Sequence, residues 1–279
     1  MINPIPALIP ALIWALSPIY YRLYLKKFEL LKLNFVRTSL GSAALLVPAL
    51  YFGFQQGVFF AVLSGIITLA IGDSLFLFAI GEVGASVAAP VVYTYVLLIQ
   101  LTAFSVGETV VLANIVSAVL IILGVFLLSR GGGKTPRIRG ILFALAASLI
   151  WTVGQDLLKV ATIAGLEFVS LAFVRDSSAA VALGLVLLLK TRGVPKLGGT
   201  LSKREWAFLA VISLSDVALG STIYVYSVTT TGLAVTVILT SISPFLTQVF
   251  SKLLGKETPS NRDILAGFLI VIALVIVAI

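Results

Sequence analysis

The sequence predicts an all-α polytopic membrane protein of ten transmembrane helices, arranged as two inverted five-helix repeats. Three observations predict it: an extreme composition, ten apolar segments, and an internal repeat whose connections trade charge. Of 279 residues 60% are hydrophobic and 11% charged, and mean hydropathy is +1.16, against roughly 25% charged residues in a soluble domain. Apolar runs such as 115–128 and 264–279 cannot be hidden in a soluble core of this size with so few charges to cover it. Lipid is therefore the expected solvent.

Gly, Pro and charge divide the chain into apolar segments at 5–24, 30–52, 58–80, 84–106 and 109–129, then 140–163, 167–189, 205–228, 232–254 and 263–279. Each is near the length of about 20 residues that one helical crossing needs. They are too long for barrel strands, and hydrocarbon offers no partner to an open backbone, so helices are the expected spans. Only 130–139 and 190–204 read as polar or Gly-rich linkers. The start, MINPIPALIP, lacks the basic region of a secretory signal, and its apolar stretch is expected to remain as the first helix.

Residues 13–37 and 150–175 carry the same landmarks at nearly constant offset. Ile13-Trp14 matches Ile150-Trp151, a cation follows each Trp by eight residues (Arg22, Lys159), and Phe35-Val36-Arg37 matches Phe173-Val174-Arg175. AIGDSLFLFAI at 70–80 lies over ALGSTIYVYSV at 218–228, pairing Gly72 with Gly220 and Phe76 with Tyr224, and Gly84 then pairs with Gly232. VGET at 106–109 lies over GKET at 255–258 before the last apolar segment of each half. The expected domains are 1–132 and 133–279.

Five helices per half is odd, so the second copy should enter the membrane upside down. Connections one, five, seven and nine hold fifteen of the nineteen Lys and Arg residues, whereas the even connections and both termini hold none. With ten helices every basic connection falls on one face, which the positive-inside rule makes cytoplasmic. The expected location is the cell membrane, with both termini on the non-cytoplasmic side.

The net charge of +8 sits in these short connections and not on an exposed stripe, so no nucleic-acid partner is expected. Without Cys or His there is no disulfide, thiol chemistry or zinc-type ligand set, and no cofactor or metal is expected. GGGKT at 131–135 resembles the tail of a phosphate-binding loop, but Leu128 stands where the earlier Gly is required and no strand precedes it.

The chain resembles the drug/metabolite transporter superfamily, specifically the EamA type with two five-helix repeats. The resemblance spans essentially the whole chain. It rests on the Trp and downstream cation in the first helix of each half, the Phe-x-Arg of the second, Pro244 followed by Glu257, and a closing helix containing Gly267. Tyr95 stands where Pro244 would be matched, with Pro90 five residues earlier, so that helix is expected to bend elsewhere. The resemblance implies cytoplasmic termini for many members, the reverse of what the charges imply here. It also implies transport of small metabolites such as amino acids, their derivatives or nucleosides. A chain of inverted repeats is expected to move substrate by alternating access about a site between its halves. An intramembrane lipid-modifying enzyme and a channel are the competing readings; the sequence specifies neither substrate nor oligomeric state.

Arg37, Asp73, Asp156, Lys159, Arg175, Asp176 and Asp216 all fall within the spans. Unpaired at mid-helix they would together cost on the order of 20 kcal/mol, so they must pair, meet water or snorkel. Arg37, near a helix end, is expected to snorkel. Asp156 and Lys159 share a helical face at the depth of Arg175, and a cluster of the three would either neutralise an anionic substrate or tie two helices together. Asp73, Asp156 and Asp216 are the proton-coupling candidates because no His can serve, with a hydrogen-bonded structural role as the alternative. Trp14, Trp151, Tyr224 and Tyr226, with Lys159 and Arg175, complete the expected substrate-binding set; belts and packing are the other reading of the aromatics, Tyr93 and Tyr95 included.

Overall fold

A computed structural model describes residues 5–129, 138–192 and 201–253, together with 265, 268, 269, 272, 273, 275 and 276. Most of the predicted closing segment 263–279, and most of the two polar linkers, lie outside the described residues. Those described form helices and no strand: α1 (Ile5–Tyr24), α2 (Leu30–Phe52), α3 (Val58–Val83), α4 (Ala85–Val92), α5 (Tyr95–Thr102), α6 (Leu112–Ser129), α7 (Ile138–Ile163), α8 (Phe168–Thr191), α9 (Lys203–Thr231), α10 (Leu233–Thr240) and α11 (Ser243–Leu253).

Among the described residues six stretches are long and apolar enough to cross a membrane: Leu30–Phe52, Val58–Val83, Val87–Val106, Ile138–Ile163, Phe168–Thr191 and Lys203–Thr231. Their outward faces carry large apolar side chains, among them Val47, Tyr51, Phe104 and Leu189, as a surface bathed in lipid requires. Small residues line the inner faces, Ala and Gly foremost, so that backbones approach closely.

Regular α geometry is interrupted by π segments inside two helices and by breaks in the expected segments 84–106 and 232–254, the second at Ser241–Ile242. Gly65–Gly72 within α3 and Leu214–Gly220 within α9 are wound as π-helix, which shifts the register of the helical turns beyond each segment. Between α4 and α5 the chain breaks at Tyr93–Thr94, three residues beyond Pro90.

The connections sort to two ends of the bundle. At one end Lys27 pairs with Glu205 at 2.5 Å, Lys190 pairs with Glu29, Tyr24 donates to the Glu205 carbonyl at 2.7 Å, and Phe28 meets Trp206 edge-on. The Lys190 bond holds the Glu29 carboxyl below the usual carboxylate range. Arg22 lies over Gly84 at this end, and Gly140 abuts Glu82 and Val83. At the other end Glu167 N–H donates to Gln55 (3.2 Å), Ser170 donates to the Gly53 carbonyl (2.6 Å), and Glu108 receives the N–H groups of Leu233 and Ala234. The described parts of connections one, five and seven, all basic, thus gather at the first end.

Candidate functional site

A chamber lies at mid-length of the helices. Its walls come from both halves of the sequence. α1 contributes Trp14, Ser17 and Tyr21, three and four residues apart and so on one face. The π segment of α3 and the turn after it contribute Thr68, Asp73 and Phe76; α7 contributes Trp151 and Gln155; α9 contributes Asp216, Ser221 and Tyr224. Arg37 and Arg175 enter from α2 and α8, Tyr93 and Tyr95 from the break between α4 and α5, and Ser243 and Thr247 from α11.

One cation organises the charged wall. Arg37 Nη2 stands 2.8 Å from Asp73 Oδ2 and 3.3 Å from Asp216 Oδ2. Tyr21 donates its hydroxyl to Asp216 at 2.7 Å, Trp151 Nε1 donates to Asp73 Oδ1 at 2.9 Å, and the guanidinium carbon of Arg37 sits 5.1 Å above the Tyr21 ring. This corrects the expectation for Arg37. It does not snorkel; it is only 6% exposed, because two carboxylates from α3 and α9 meet it inside the bundle.

Arg175 is 2% exposed, has no ion pair within 4 Å among the described residues, and its Nε has no hydrogen-bond partner. Thr68 Oγ1, Gln155 Oε1 and the Tyr224 hydroxyl are likewise buried without partners around the same chamber. An uncommitted guanidinium among such groups can take a carboxylate or phosphate by a two-point contact.

The aromatic wall is laid out reciprocally. Trp14 packs on Gly220 and meets Tyr224 at a tilt with ring centroids 5.1 Å apart, while its Nε1 donates to the Asp216 carbonyl at 3.4 Å. Trp151 packs on Gly72 and meets Phe76 at 5.3 Å and Tyr95 at 5.5 Å. Each Trp thus docks on the glycine that ends the π segment of the opposite half.

Of the expected site residues, the structure brings together Trp14, Trp151, Arg175, Tyr224, Asp73 and Asp216. Lys159, Asp156 and Tyr226 are not among the chamber's lining residues. The expected Asp156–Lys159–Arg175 cluster is replaced by a different pairing: Lys159 Nζ lies 2.7 Å from Glu108 Oε1, and Asp156 accepts from Thr102 at 3.2 Å. Glu108 also accepts the first N–H groups of α10, which fix its carboxylate in place within reach of Lys159. Tyr226 is 40% exposed and rests against Phe168, because two residues along a helix turn it about 200° away from Tyr224. Arg37, Thr68 and Gln155 were missed as site residues. A signal existed for Gln155, which lies four residues beyond Trp151 and so on the same face of α7.

The EamA-like transporter family matches the chain twice, over residues 4–130 and 138–279. A protein of Archaeoglobus fulgidus described as an uncharacterized transporter is 24% identical over 283 residues, covering 99% of this chain and 98% of that one. A solved crystal structure shares the fold, with a TM-score of 0.79 at 20% identity over 98% of this chain and 94% of the other.

Proposed function

This chain belongs to the EamA-like transporter family, and on that premise we propose that it is a secondary active transporter of small metabolites, amino acids or related compounds among them. It is a multi-pass membrane protein whose two repeats, 1–132 and 133–279, form ten helices of opposed orientation in the cell membrane. They rock about the chamber to give alternating access, with proton coupling as the energy source. The observation that carries this reading is the mid-depth chamber, with one uncommitted cation and an aromatic wall drawn from both halves. The tandem family match, the reciprocal Trp docking and the paired π segments support the repeat arrangement.

In this reading Arg175 anchors an anionic group of the substrate, and Trp14, Trp151 and Tyr224 hold its apolar part. Asp73 and Asp216 fix Arg37. Lys159, Glu108 and Asp156 lie outside the chamber's lining, toward the end away from the basic connections, and tie helices together there.

A thermal-shift screen of purified protein against a metabolite library tests the site, since a ligand of the folded state raises the melting temperature. The expected result is a compound that stabilises wild type and leaves Arg175→Gln unshifted, each protein compared with its own melting temperature without ligand. Equal ligand shifts in both would remove Arg175 from the site. Turnover of a lipid in detergent without a gradient would favour the enzyme reading, and flux without counter-exchange the channel.

Orientation has a direct test because the chain has no cysteine. Lys26→Cys should resist an impermeant thiol reagent applied to intact cells, and Gln55→Cys, at the other end, should react. The opposite pattern would reverse both termini.

A further inference from the structure

The three acids that the sequence marked for proton chemistry all have partners: Asp73 has Arg37 and Trp151, Asp216 has Arg37 and Tyr21, and Asp156 has Thr102. Asp176 has none. It is 0% exposed, and neither carboxyl oxygen has a hydrogen-bond partner. Its Oδ2 occupies the space that a side chain at position 41 would need, 2.5 Å from where a Cβ would stand on Gly41 of α2. A bare carboxylate is the costliest group to hold in such a place; the neutral acid is not.

We propose that Asp176 is a proton-binding site that exchanges with the anion held by Arg175. Asp176 carries a proton while Arg175 holds a monovalent anion in the chamber. When the anion leaves, Asp176 releases that proton to water and its carboxylate takes over Arg175. Only an O–H bond breaks, and the proton is recovered from water when the next anion binds. This rests on the anion-anchoring role given to Arg175 above.

Charge counting sets a bound anion and an ionised Asp176 against each other. The groups acting on Asp176 from the elements around it are Arg37 on α2, Asp73 on α3, Asp216 on α9 and Arg175 beside it on α8. Arg37 is already shared by two carboxylates. The two arginines balance Asp73 and Asp216, so either an ionised Asp176 or a bound monoanion leaves one net negative charge, and both together leave two. In a low-dielectric interior the doubly charged state is the disfavoured one. Anion and proton therefore enter together. The device belongs to the second half alone, because Thr38 stands at the position matching Asp176 and its hydroxyl is spent on the Asn34 carbonyl.

Benzoate, a carboxylate with a ring for the aromatic wall, and acetate, a smaller one, serve as probes for the protein in lipid nanodiscs. Benzoate affinity of wild type should fall about tenfold per pH unit once the empty site has lost its proton, and titration calorimetry in two buffers should show about one proton taken up per anion. In Asp176→Asn, which imitates the neutral acid, affinity should be retained and both effects should vanish. On wild type alone, adding benzoate at alkaline pH should produce an infrared band of a protonated carboxyl, a readout that does not depend on the variant folding. Binding without proton uptake, or a pH slope unchanged in Asp176→Asn, overturns the exchange and leaves the anion role of Arg175 standing. Failure of both probes to bind at any pH overturns that role, and the exchange with it.

Discussion

Replacing Arg37 with Ala should remove most of the folded protein from a detergent extract. The guanidinium is the common partner of Asp73 and Asp216, and deleting it leaves two carboxylates facing each other in the bundle with only Tyr21 and Trp151 as donors. Breaking a buried pair from one side costs about 3–5 kcal/mol, a large part of the roughly 5–15 kcal/mol that holds a typical domain together. Removing all three charges is different. Arg37→Met combined with Asp73→Asn and Asp216→Asn should recover much of the loss, because the cost lies in the uncompensated charge more than in the missing contact. Arg37→Lys should fall between, since an ammonium keeps the charge but is a more compact and more strongly hydrated head than the guanidinium whose Nη2 meets both carboxylates. The measurement is melting temperature by size-exclusion recovery after heating. An Arg37→Ala protein that melts with wild type would show that the triad does not bear on stability.

What the sequence revealed, and what it concealed, depends on how far apart the interacting residues lie. Helix positions were legible because each is set by a local run of apolar residues bounded by Gly, Pro or charge, and the described helices begin and end within a few residues of expectation, except that the segments 84–106 and 232–254 are each broken into two. Trp14 and Trp151 were legible as a pair because the repeat marks them, although nothing in either segment says that each docks on a glycine of the other half. The burial of Arg37 was not legible locally, because its place near a helix end permits snorkelling and Asp216, one of the two carboxylates that hold it inside, is on a helix far along the chain. Asp156 and Lys159 are neighbours on α7, yet the carboxylate that takes Lys159 is Glu108, in a connection and committed to the N-terminus of α10. The π segments left no periodicity to read. Only their closing residues, Gly72 and Gly220, were visible, as matched glycines. Tyr226 is the opposite case: its divergence from Tyr224 was already contained in helical geometry.

The second large effect is expected at Gly65, where α3 crosses α8. A Cβ built there would overlap the Arg175 carbonyl oxygen and stand 2.6 Å from the Arg175 Cα. Both are backbone atoms, which cannot rotate away, so Gly65→Val must move one helix against the other. Overpacking of a rigid interior typically costs about 1–3 kcal/mol, and backbone against backbone belongs at the upper end of that range. The displaced segment carries Arg175 itself, so the variant should lose both melting temperature and the ligand-induced shift that Arg175 is expected to support. Gly65→Ala should lose less of each. Gly81 separates this effect from the general response to losing a helical glycine, for it lies exposed on the same helix with no atom within 4 Å of its Cβ position. Gly81→Ala should raise stability by up to about 1 kcal/mol, through the backbone entropy that glycine forfeits on folding. If both glycines respond with the same sign, close approach of α3 and α8 does not position Arg175. Opposite signs would place the constraint at the crossing itself, where the π-helical winding of α3 brings its backbone against the residue meant to meet the substrate.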